Sequence, residues 1–308
     1  MRVFTVLKKG VRRHIALIGE GLIGSAVSRS FSAEVGSGSI IPLGSYTTES
    51  LPSTEKIIND WLKTVVIDDP VDWIWCAGRA GFNADTPRCN EELIYFTAFL
   101  NLIAKHRRIE SDTFQLISSA GGLFEGCGLV EKDTAAQPSR PYGRLKLKME
   151  EIAESYFPSI NIYRATSVYG SISERHRSGL ITSLIKNAYR LGITEIWGSL
   201  STLRDYVWAE DIGQYVVRRT LLTEALGKKI YLLASGRPTS IHEVMNLVSR
   251  VTQKQILTCF REPKNSSNIV FSSKVMPRQG WYPTALETAV RKISLDVTAS
   301  DPVINAVK

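Results

Sequence analysis

An α/β fold with a doubly wound parallel sheet is the fold class that the sequence predicts, and three observations support it. Short apolar runs alternate with segments of helical spacing along the first half of the chain. One such run, Ile15–Ile18, leads directly into the glycine turn Gly19-Glu-Gly21-Leu-Ile-Gly24, after which a helical pattern begins. The 308 residues are 44% hydrophobic and 22% charged, which provides enough apolar material for a large core.

Each glycine of this turn has a separate mechanical role. Gly19 permits the tight bend out of the strand, Gly21 lets a phosphate approach the bare backbone, and Gly24 allows close packing of helix on strand. The helix that starts at Leu22 and Ile23 offers unpaired N–H groups and a partial positive charge to phosphates. The pattern therefore predicts a Rossmann-type dinucleotide site, with a glycine-rich turn that binds nothing as the alternative.

The other elements of this half follow from apolar residues at strand or helical spacing. The strand that begins at Val71 ends in the small residues Ala77 and Gly78, which are predicted to lie beneath the cofactor. In chain order, the sequence predicts a helix over 22–31, a strand over 39–43, a helix over 53–65, a strand over 71–78, a helix over 87–105, a strand over 113–118, a helix over 142–156 and a strand from 162.

From Val168 onward the pattern changes to short segments, which are typical of a smaller substrate-binding lobe at the C-terminal side. Within it, the polar loop 171–177 either closes over a substrate or is an ordinary solvated loop. The predicted organisation is a nucleotide-binding domain at 1–167 to which residues 203–222 return, a substrate-binding lobe at 168–202 and 223–293, and a loosely packed tail at 294–308.

Composition and charge narrow the classes of partner. The net charge of +8 comes from basic residues spread along the chain apart from one cluster at 8–13, which favours polyanionic small ligands over nucleic acid. The four cysteines form no disulfide pattern and the histidines have no metal-ligand spacing, so we expect a reducing compartment and no metal site. With no signal-peptide pattern and no uncharged apolar run of about 18 residues, we expect a cytoplasmic protein without a membrane partner.

A proton relay is predicted from three side chains. Tyr142 and Lys146 are four residues apart and therefore share one face of a helix. A phenol is a poor base at neutral pH, but an ammonium one turn away and a positively charged nicotinamide both favour the phenolate. Ser119, at the end of the preceding strand, can hydrogen-bond the same substrate oxygen. Together they predict proton transfer beside a hydride carrier.

The cofactor is predicted to be NADP or NAD, with NADP favoured. Binding of NAD commonly uses an acidic residue about 20 positions after the glycine turn, to hold the ribose 2′-hydroxyl. The sequence has no carboxylate after the second strand until Glu49. Ser45, Thr47 and Arg29 are the candidate neighbours of a 2′-phosphate.

The sequence resembles the extended short-chain dehydrogenases/reductases, in particular the NAD(P)-dependent nucleotide-sugar epimerase/dehydratase family, from about Ile15 to Ile293. Besides the glycine turn and the Tyr142/Lys146 pair, the matching residues are Cys76-Ala77-Gly78, Asn90, Ser119, Glu150, Arg164 with Val168-Tyr169-Gly170, Arg204-Asp205-Tyr206-Val207 with Asp211, and Gly280-Trp281-Tyr282-Pro283 with Leu286-Glu287.

The resemblance implies a nucleotide-sugar substrate, a homodimer and roles for individual residues. Ser119, Tyr142 and Lys146 would be catalytic, with Ser118 as the alternative serine and Lys146 also holding the cofactor ribose. The cofactor would further contact Gly19, Gly21, Leu22, Ile23, Gly24, Ala77 and Gly78, and the substrate would contact Asn90, Ser118 and Arg204, the last at its pyrophosphate.

The chain departs from the family pattern at two places. Sugar 4,6-dehydratases carry an Asp-Glu pair after the catalytic threonine, whereas Ala120 and Gly121 stand here and neither can move a proton. An additional strand usual before Trp73 has no clear counterpart. The remaining chemistry is hydride transfer with one proton, so the predicted function is reduction of a nucleotide-linked 4-keto-sugar. The alternatives are a nucleotide-sugar 4-epimerase and a non-catalytic NAD(P)-binding regulator.

Overall fold

The computed structural model describes residues 1–43, 47–107, 109–170, 179–222, 227–261 and 267–300. Its strands are β1 (Arg2–Lys8), β2 (Val11–Ile18), β3 (Ser39–Ile40), β4 (Val71–Trp75), β5 (Thr113–Ser119), β6 (Gly128–Val130), β7 (Ile160–Ala165), β8 (Ser167–Tyr169), β9 (Ile193–Trp197), β10 (Leu203–Trp208), β11 (Lys228–Leu233), β12 (Pro238–Ser240), β13 (Leu257–Arg261) and β14 (Ile269–Phe271). Its α-helices are α1 (Leu22–Val35), α2 (Leu51–Leu62), α3 (Thr86–His106), α4 (Ala120–Leu123), α5 (Pro141–Tyr156), α6 (Gly179–Arg190), α7 (Ala209–Leu222), α8 (Ile241–Thr252) and α9 (Leu286–Ser300).

The central sheet has seven strands among the described residues, in the order β11-β7-β5-β4-β2-β1-β3. The five strands from β11 to β2 are parallel to one another. This confirms the predicted doubly wound parallel sheet. Strand order reverses between β2 and β4, and in such sheets ligands bind in the crevice beyond the carboxyl ends at the point of reversal.

The strand β1 was not predicted. It pairs antiparallel with β2, from Arg2 opposite Leu17 to Lys8 opposite Val11, and antiparallel with β3 on its other side. The hairpin turn at Lys9 and Gly10 has φ of 52° and 79°, the left-handed geometry that two-residue hairpins favour. In the common strand order the strand after the first helix pairs directly with the first parallel strand, whereas β1 separates the two here.

Helices cover both faces of the sheet, and large aromatic rings fill the two interfaces. On one face, α2, α3 and α5 bury Trp73 and Trp75 of β4 together with Phe96 of α3. On the other face, α1 and α7 enclose Phe31 and Ile212. Full burial of each such side chain contributes on the order of 2 kcal/mol relative to exposure, so the sheet and its helices form a firm base for the strand ends.

The C-terminal lobe is built around α6, α8 and α9, whose apolar faces form a common core. β10 pairs with β8 and β12 in a separate three-stranded sheet. Of the segment 203–222 predicted to return to the first domain, α7 packs against α1, and Val207 of β10 joins the core between these helices and the main sheet. The tail predicted from residue 294 is wrong for its first part, because α9 continues through Ser300. Val297 is buried, and the Ser294 Oγ lies 2.7 Å from the Tyr189 hydroxyl. Residues 301–308 lie outside the described part.

The helix α3 has 21 residues and is amphipathic, with one buried face and one exposed face. Within the described ranges, none of the helices combines the length and the apolarity that a bilayer crossing requires.

Candidate active site

A cavity of about 800 Å³ lies at the carboxyl ends of β2, β4 and β5, between the main sheet and the C-terminal lobe. From the lobe it is lined by Trp197 and Tyr206, among others. The sequence-predicted site residues that line it are Gly21, Leu22, Ile23, Ala77, Gly78, Ser118, Ser119, Tyr142, Lys146 and Arg204. Most of the predicted site, drawn from segments far apart in sequence, is therefore brought together around one space.

The glycine turn has the geometry that a dinucleotide requires. Gly19 has φ +90°, and a Cβ there would lie 2.4 Å from the Ala77 backbone nitrogen. A Cβ at Gly24 would lie 1.8 Å from the Gly19 carbonyl oxygen, whereas one at Gly21 would meet no atom within 4 Å. Gly21 also precedes α1 without a side-chain cap. The first turn of α1 therefore faces an open space where a phosphate fits.

The catalytic candidates are held by the packing of α5 on α4. A Cβ on Gly143 would lie 2.2 Å from the Gly122 carbonyl oxygen, so this close approach requires glycine. It places Tyr142 on α5 beside the end of β5, where Ser119 begins α4 and accepts a hydrogen bond of 3.1 Å from the Gly122 amide. The Lys146 Nζ lies 5.6 Å from the centroid of the Tyr142 ring. Phenol, ammonium and serine hydroxyl thus share one wall of the cavity.

Ser118 faces a different set of partners from Ser119. Its hydroxyl is buried and donates a hydrogen bond of 2.5 Å to Glu150 Oε1. Glu150 in turn accepts from the Arg164 guanidinium at 2.7 Å. This network joins β5, α5 and β7. Glu150 and Arg164, two residues that carry the family resemblance, therefore have a structural role. Because the Ser118 hydroxyl is bonded to Glu150, Ser119 is the better placed of the two serines for a substrate oxygen.

Arg204 reaches the cavity from the lobe. Its guanidinium donates to the backbone carbonyls of Leu203 at 2.9 Å and Ser267 at 2.5 Å. Burial lowers the pKa of Arg204 from its ordinary value, because desolvation disfavours the charged form. An anionic group in the cavity would offset that cost, so the position suits a phosphate or a carboxylate.

The two aspartates of the same motif hold the lobe in place. Asp205 accepts hydrogen bonds from the Thr166 hydroxyl at 2.9 Å and from the Ser235 amide at 2.7 Å. Asp211 accepts from the amide and the hydroxyl of Thr284, at 2.8 and 2.7 Å. Burial raises the pKa of both carboxyl groups, and these hydrogen bonds oppose that rise. The motif therefore fixes Arg204 relative to the main sheet.

On α3, Arg88 lines the cavity, and Glu92 contacts the site from behind its lining, whereas the predicted Asn90 does neither. Asn90 is exposed and does not line the cavity. Glu92, only 7% exposed, accepts hydrogen bonds from the amides of Arg79 and Ala80, both at 2.7 Å, and its Oε1 lies 3.3 Å from the Lys146 Nζ. Two positions along a helix turn a side chain by about 200°, which separates these two residues. The available signal was that Glu92 falls on the buried face of α3.

Arg2 is the second residue that sequence reasoning missed. It lies at the carboxyl-end edge of β2 and β3, because β1 runs antiparallel to both. Its Nε donates to Glu20 Oε1 at 2.8 Å, inside the glycine turn. The predicted phosphate neighbour Arg29 instead pairs with Glu210 of α7.

The other two predicted neighbours of a 2′-phosphate have different outcomes. Thr47 is the N-cap of the 3-10 helix Thr48–Ser50, and its backbone N–H donates to Ser50 Oγ at 3.2 Å. Ser45 and the polar loop 171–177 lie outside the described residues. None of these observations assigns a 2′-phosphate contact to either residue.

Fold and site together define a Rossmann-type protein whose main cavity lies between the parallel sheet and a smaller lobe. The sequence pattern of the NAD dependent epimerase/dehydratase family matches residues 19–233, and the chain belongs to this family. The resemblance stated from the sequence is thereby confirmed.

Known relatives agree with this assignment. Over 301 residues the chain is 25% identical to a GDP-L-fucose synthase of Sinorhizobium fredii, an alignment that covers 89% of this chain and 91% of that protein. A UDP-glucose 4-epimerase of Pisum sativum is 25% identical over 234 residues, 65% of each protein.

Solved structures share the fold. The UDP-glucose 4-epimerase of Thermus thermophilus, in complex with NAD, matches with a TM-score of 0.73 and 16% identity over 93% of this chain and 99% of that one. The UDP-glucuronic acid 4-epimerase of Bacillus cereus, in complex with UDP-glucuronic acid and NAD, matches with a TM-score of 0.71 and 19% identity over 92% and 99%. Identities this low establish a common fold and no more.

Proposed function

We propose that the protein reduces a 4-keto-hexose carried on a nucleoside diphosphate. The observation that supports this most is the convergence of Ser119, Tyr142 and Lys146 on one wall of a cavity that begins at the glycine turn. When bound there, the nicotinamide cofactor supplies the hydride. The Tyr142 phenol donates its proton to the C4 oxygen, the Ser119 hydroxyl orients that oxygen, and the Lys146 ammonium stabilises the phenolate that remains.

The substrate part of the proposal rests on Arg204 and on the absence of further acid–base groups next to Ser119. A guanidinium on the lobe side of the cavity is suited to the diphosphate of a nucleotide sugar. Ala120 and Gly121 follow Ser119 and cannot carry the additional proton transfers of a dehydration. The same three catalytic groups also suit the alternative, a 4-epimerase that oxidises and re-reduces C4.

The two reactions differ in cofactor use, and this provides the test. Purified protein would be mixed with NADPH and a nucleotide-linked 4-keto-hexose, and the fluorescence of NADPH would be followed. We expect consumption of one NADPH for each sugar reduced. Interconversion of C4 epimers without added cofactor, by protein that retains NAD, would identify the epimerase. Binding of the dinucleotide without turnover of any nucleotide sugar would favour the regulator.

We further propose that NADPH is preferred and that Arg2 binds its 2′-phosphate. The proposal is supported by the position of the Arg2 guanidinium, beside Glu20 and at the carboxyl-end edge of β2 and β3. We expect Arg2→Gln to weaken NADPH binding roughly tenfold, about 1.4 kcal/mol, and to leave NADH binding nearly unchanged.

Fluorescence titration with each nucleotide measures this difference. Arg12→Gln, which removes an exposed arginine from the neighbouring strand, is the matched control and should bind both cofactors like the unmodified protein. An equal loss for NADPH and NADH would indicate that Arg2 acts only by holding the glycine turn. No loss for either would place the 2′-phosphate elsewhere.

We also propose that the protein is a homodimer and that it works in a reducing, cytoplasmic compartment. The helices α3 and α5 pack side by side, and we propose that their outer faces form the contact between subunits. All four cysteine thiols are free, which supports a reducing compartment. A solution mass of twice the chain mass is expected, and a monomeric mass would contradict the dimer.

A further inference from the structure

The carboxylate of Glu92 contacts two parts of the site at once. Its Oε2 accepts the amides of Arg79 and Ala80, both at 2.7 Å, and these residues belong to the loop that follows β4 and lines the cavity. Its Oε1 lies 3.3 Å from the Lys146 Nζ. The side chains of Glu92 and Lys146 are only 6% and 8% exposed. One buried anion therefore connects the cavity loop to the lysine one turn after Tyr142.

Burial makes this contact consequential. Burying an ammonium or a carboxylate without a partner costs free energy. In the pair, each group stabilises the charge on the other. Titratable groups near the ammonium come from three elements and include Cys76 after β4, Cys89 and Glu92 on α3, and Tyr142 on α5. Burial raises the pKa of the Cys76 and Cys89 thiols, which keeps both neutral. Among these groups, Glu92 is the source of negative charge.

We propose that Glu92 is a positioning residue, which holds the Lys146 ammonium beside Tyr142 and fastens the Arg79–Ala80 loop to the same carboxylate. The proton relay and the loop next to the cofactor then move as one unit. This inference rests on the roles given above to Tyr142 and Lys146. It adds an acidic residue on α3 to the site, and that residue acts through Lys146 rather than on the substrate.

The geometry allows the two contacts of Glu92 to be separated. In Glu92→Gln the carbonyl oxygen can still accept from the amides of Arg79 and Ala80. The NH₂ group then faces the Lys146 ammonium, donor against donor, and the negative charge is gone. Glu92→Ala removes both contacts. The control is Glu91→Gln, because Glu91 is the adjacent acidic residue, is 41% exposed and lies 3.8 Å from the Arg79 guanidinium.

Two measurements report the effect of Glu92→Gln. Without the carboxylate, the buried ammonium loses the charge that stabilises it and releases its proton more readily. Reduction loses activity on the high-pH limb of its pH profile. In Glu92→Gln this limb should therefore move to lower pH by about one unit. The pH above which NADPH binding weakens, followed by fluorescence titration, should move in the same direction. Glu91→Gln should leave both pH dependences unchanged.

The outcomes distinguish this inference from the proposed function. If neither the unmodified protein nor any variant reduces a keto-sugar, the proposed reaction is wrong. The pH dependence of NADPH binding then still tests the role of Glu92. Equal pH dependences in Glu92→Gln, Glu91→Gln and the unmodified protein would overturn the positioning role. So would a loss of melting temperature in Glu92→Gln as large as that in Glu92→Ala, because Glu92 would then serve the fold alone.

Discussion

Replacing Tyr142 with phenylalanine is expected to lower kcat roughly 10³-fold, because the proton that reaches C4 comes from this phenol. The ring itself should stay in place. It packs against Phe82, with centroids 6.2 Å apart, and a Cβ on Gly122 would lie 3.1 Å from it. NADPH affinity and melting temperature should therefore change little, so the loss should appear in kcat alone.

A second tyrosine on the same helix provides the control for this prediction. Tyr156 lies at the end of α5, is partly exposed, and its hydroxyl bonds to Asn101 rather than facing the cavity. Tyr156→Phe should retain turnover. If Tyr142→Phe also retained it, the assignment of the proton donor would fail and Ser119 would be the next group to test.

Replacing Gly24 with alanine is expected to have the largest effect on stability in the site. The new methyl would lie 1.8 Å from the Gly19 carbonyl oxygen and 3.1 Å from the Cys76 Cβ, so α1 must move away from the end of β2. Overpacking of this kind costs about 3 kcal/mol, and here the clash is with backbone, which cannot rotate aside. Chemical denaturation should show the loss directly.

Gly21→Ala is the matched comparison, because a methyl group there meets no protein atom within 4 Å. Its melting temperature should equal that of the unmodified protein. Its affinity for NADPH should fall by about tenfold or more, since the methyl occupies the space that the pyrophosphate needs. If Gly21→Ala bound NADPH normally, the phosphates would not pass this turn. If Gly24→Ala had an unchanged free energy of unfolding, the close packing of α1 on the end of β2 would be contradicted.

The part of the site that sequence reasoning predicted depends on short-range spacing. The glycine turn is a six-residue pattern between a strand and a helix, and Tyr142 and Lys146 share a helix face by a spacing of four. Such patterns are readable because local geometry alone positions their side chains relative to each other. Ser119 was found because it ends a strand whose neighbours in a parallel sheet end at the same edge.

The part that was missed depends on contacts between distant segments. Glu92 stands 54 residues from Lys146, and only the packing of α3 against α5 brings them together. That Glu92 lies on the buried face could be read from its helical spacing to Phe96 and Leu100, but its partner could not. Arg2 reaches the glycine turn because a hairpin at Lys9 and Gly10 reverses the first strand.

By itself the sequence determined the fold class, the family resemblance and the group of side chains suited to hydride and proton transfer, because each is encoded in periodicity or in short motifs. Only the tertiary structure decided which serine is bonded to Glu150, which acidic residue partners Lys146 and where β1 enters the sheet. Those choices are settled by burial, because a buried charge or hydroxyl needs a partner and the partner comes from another part of the chain.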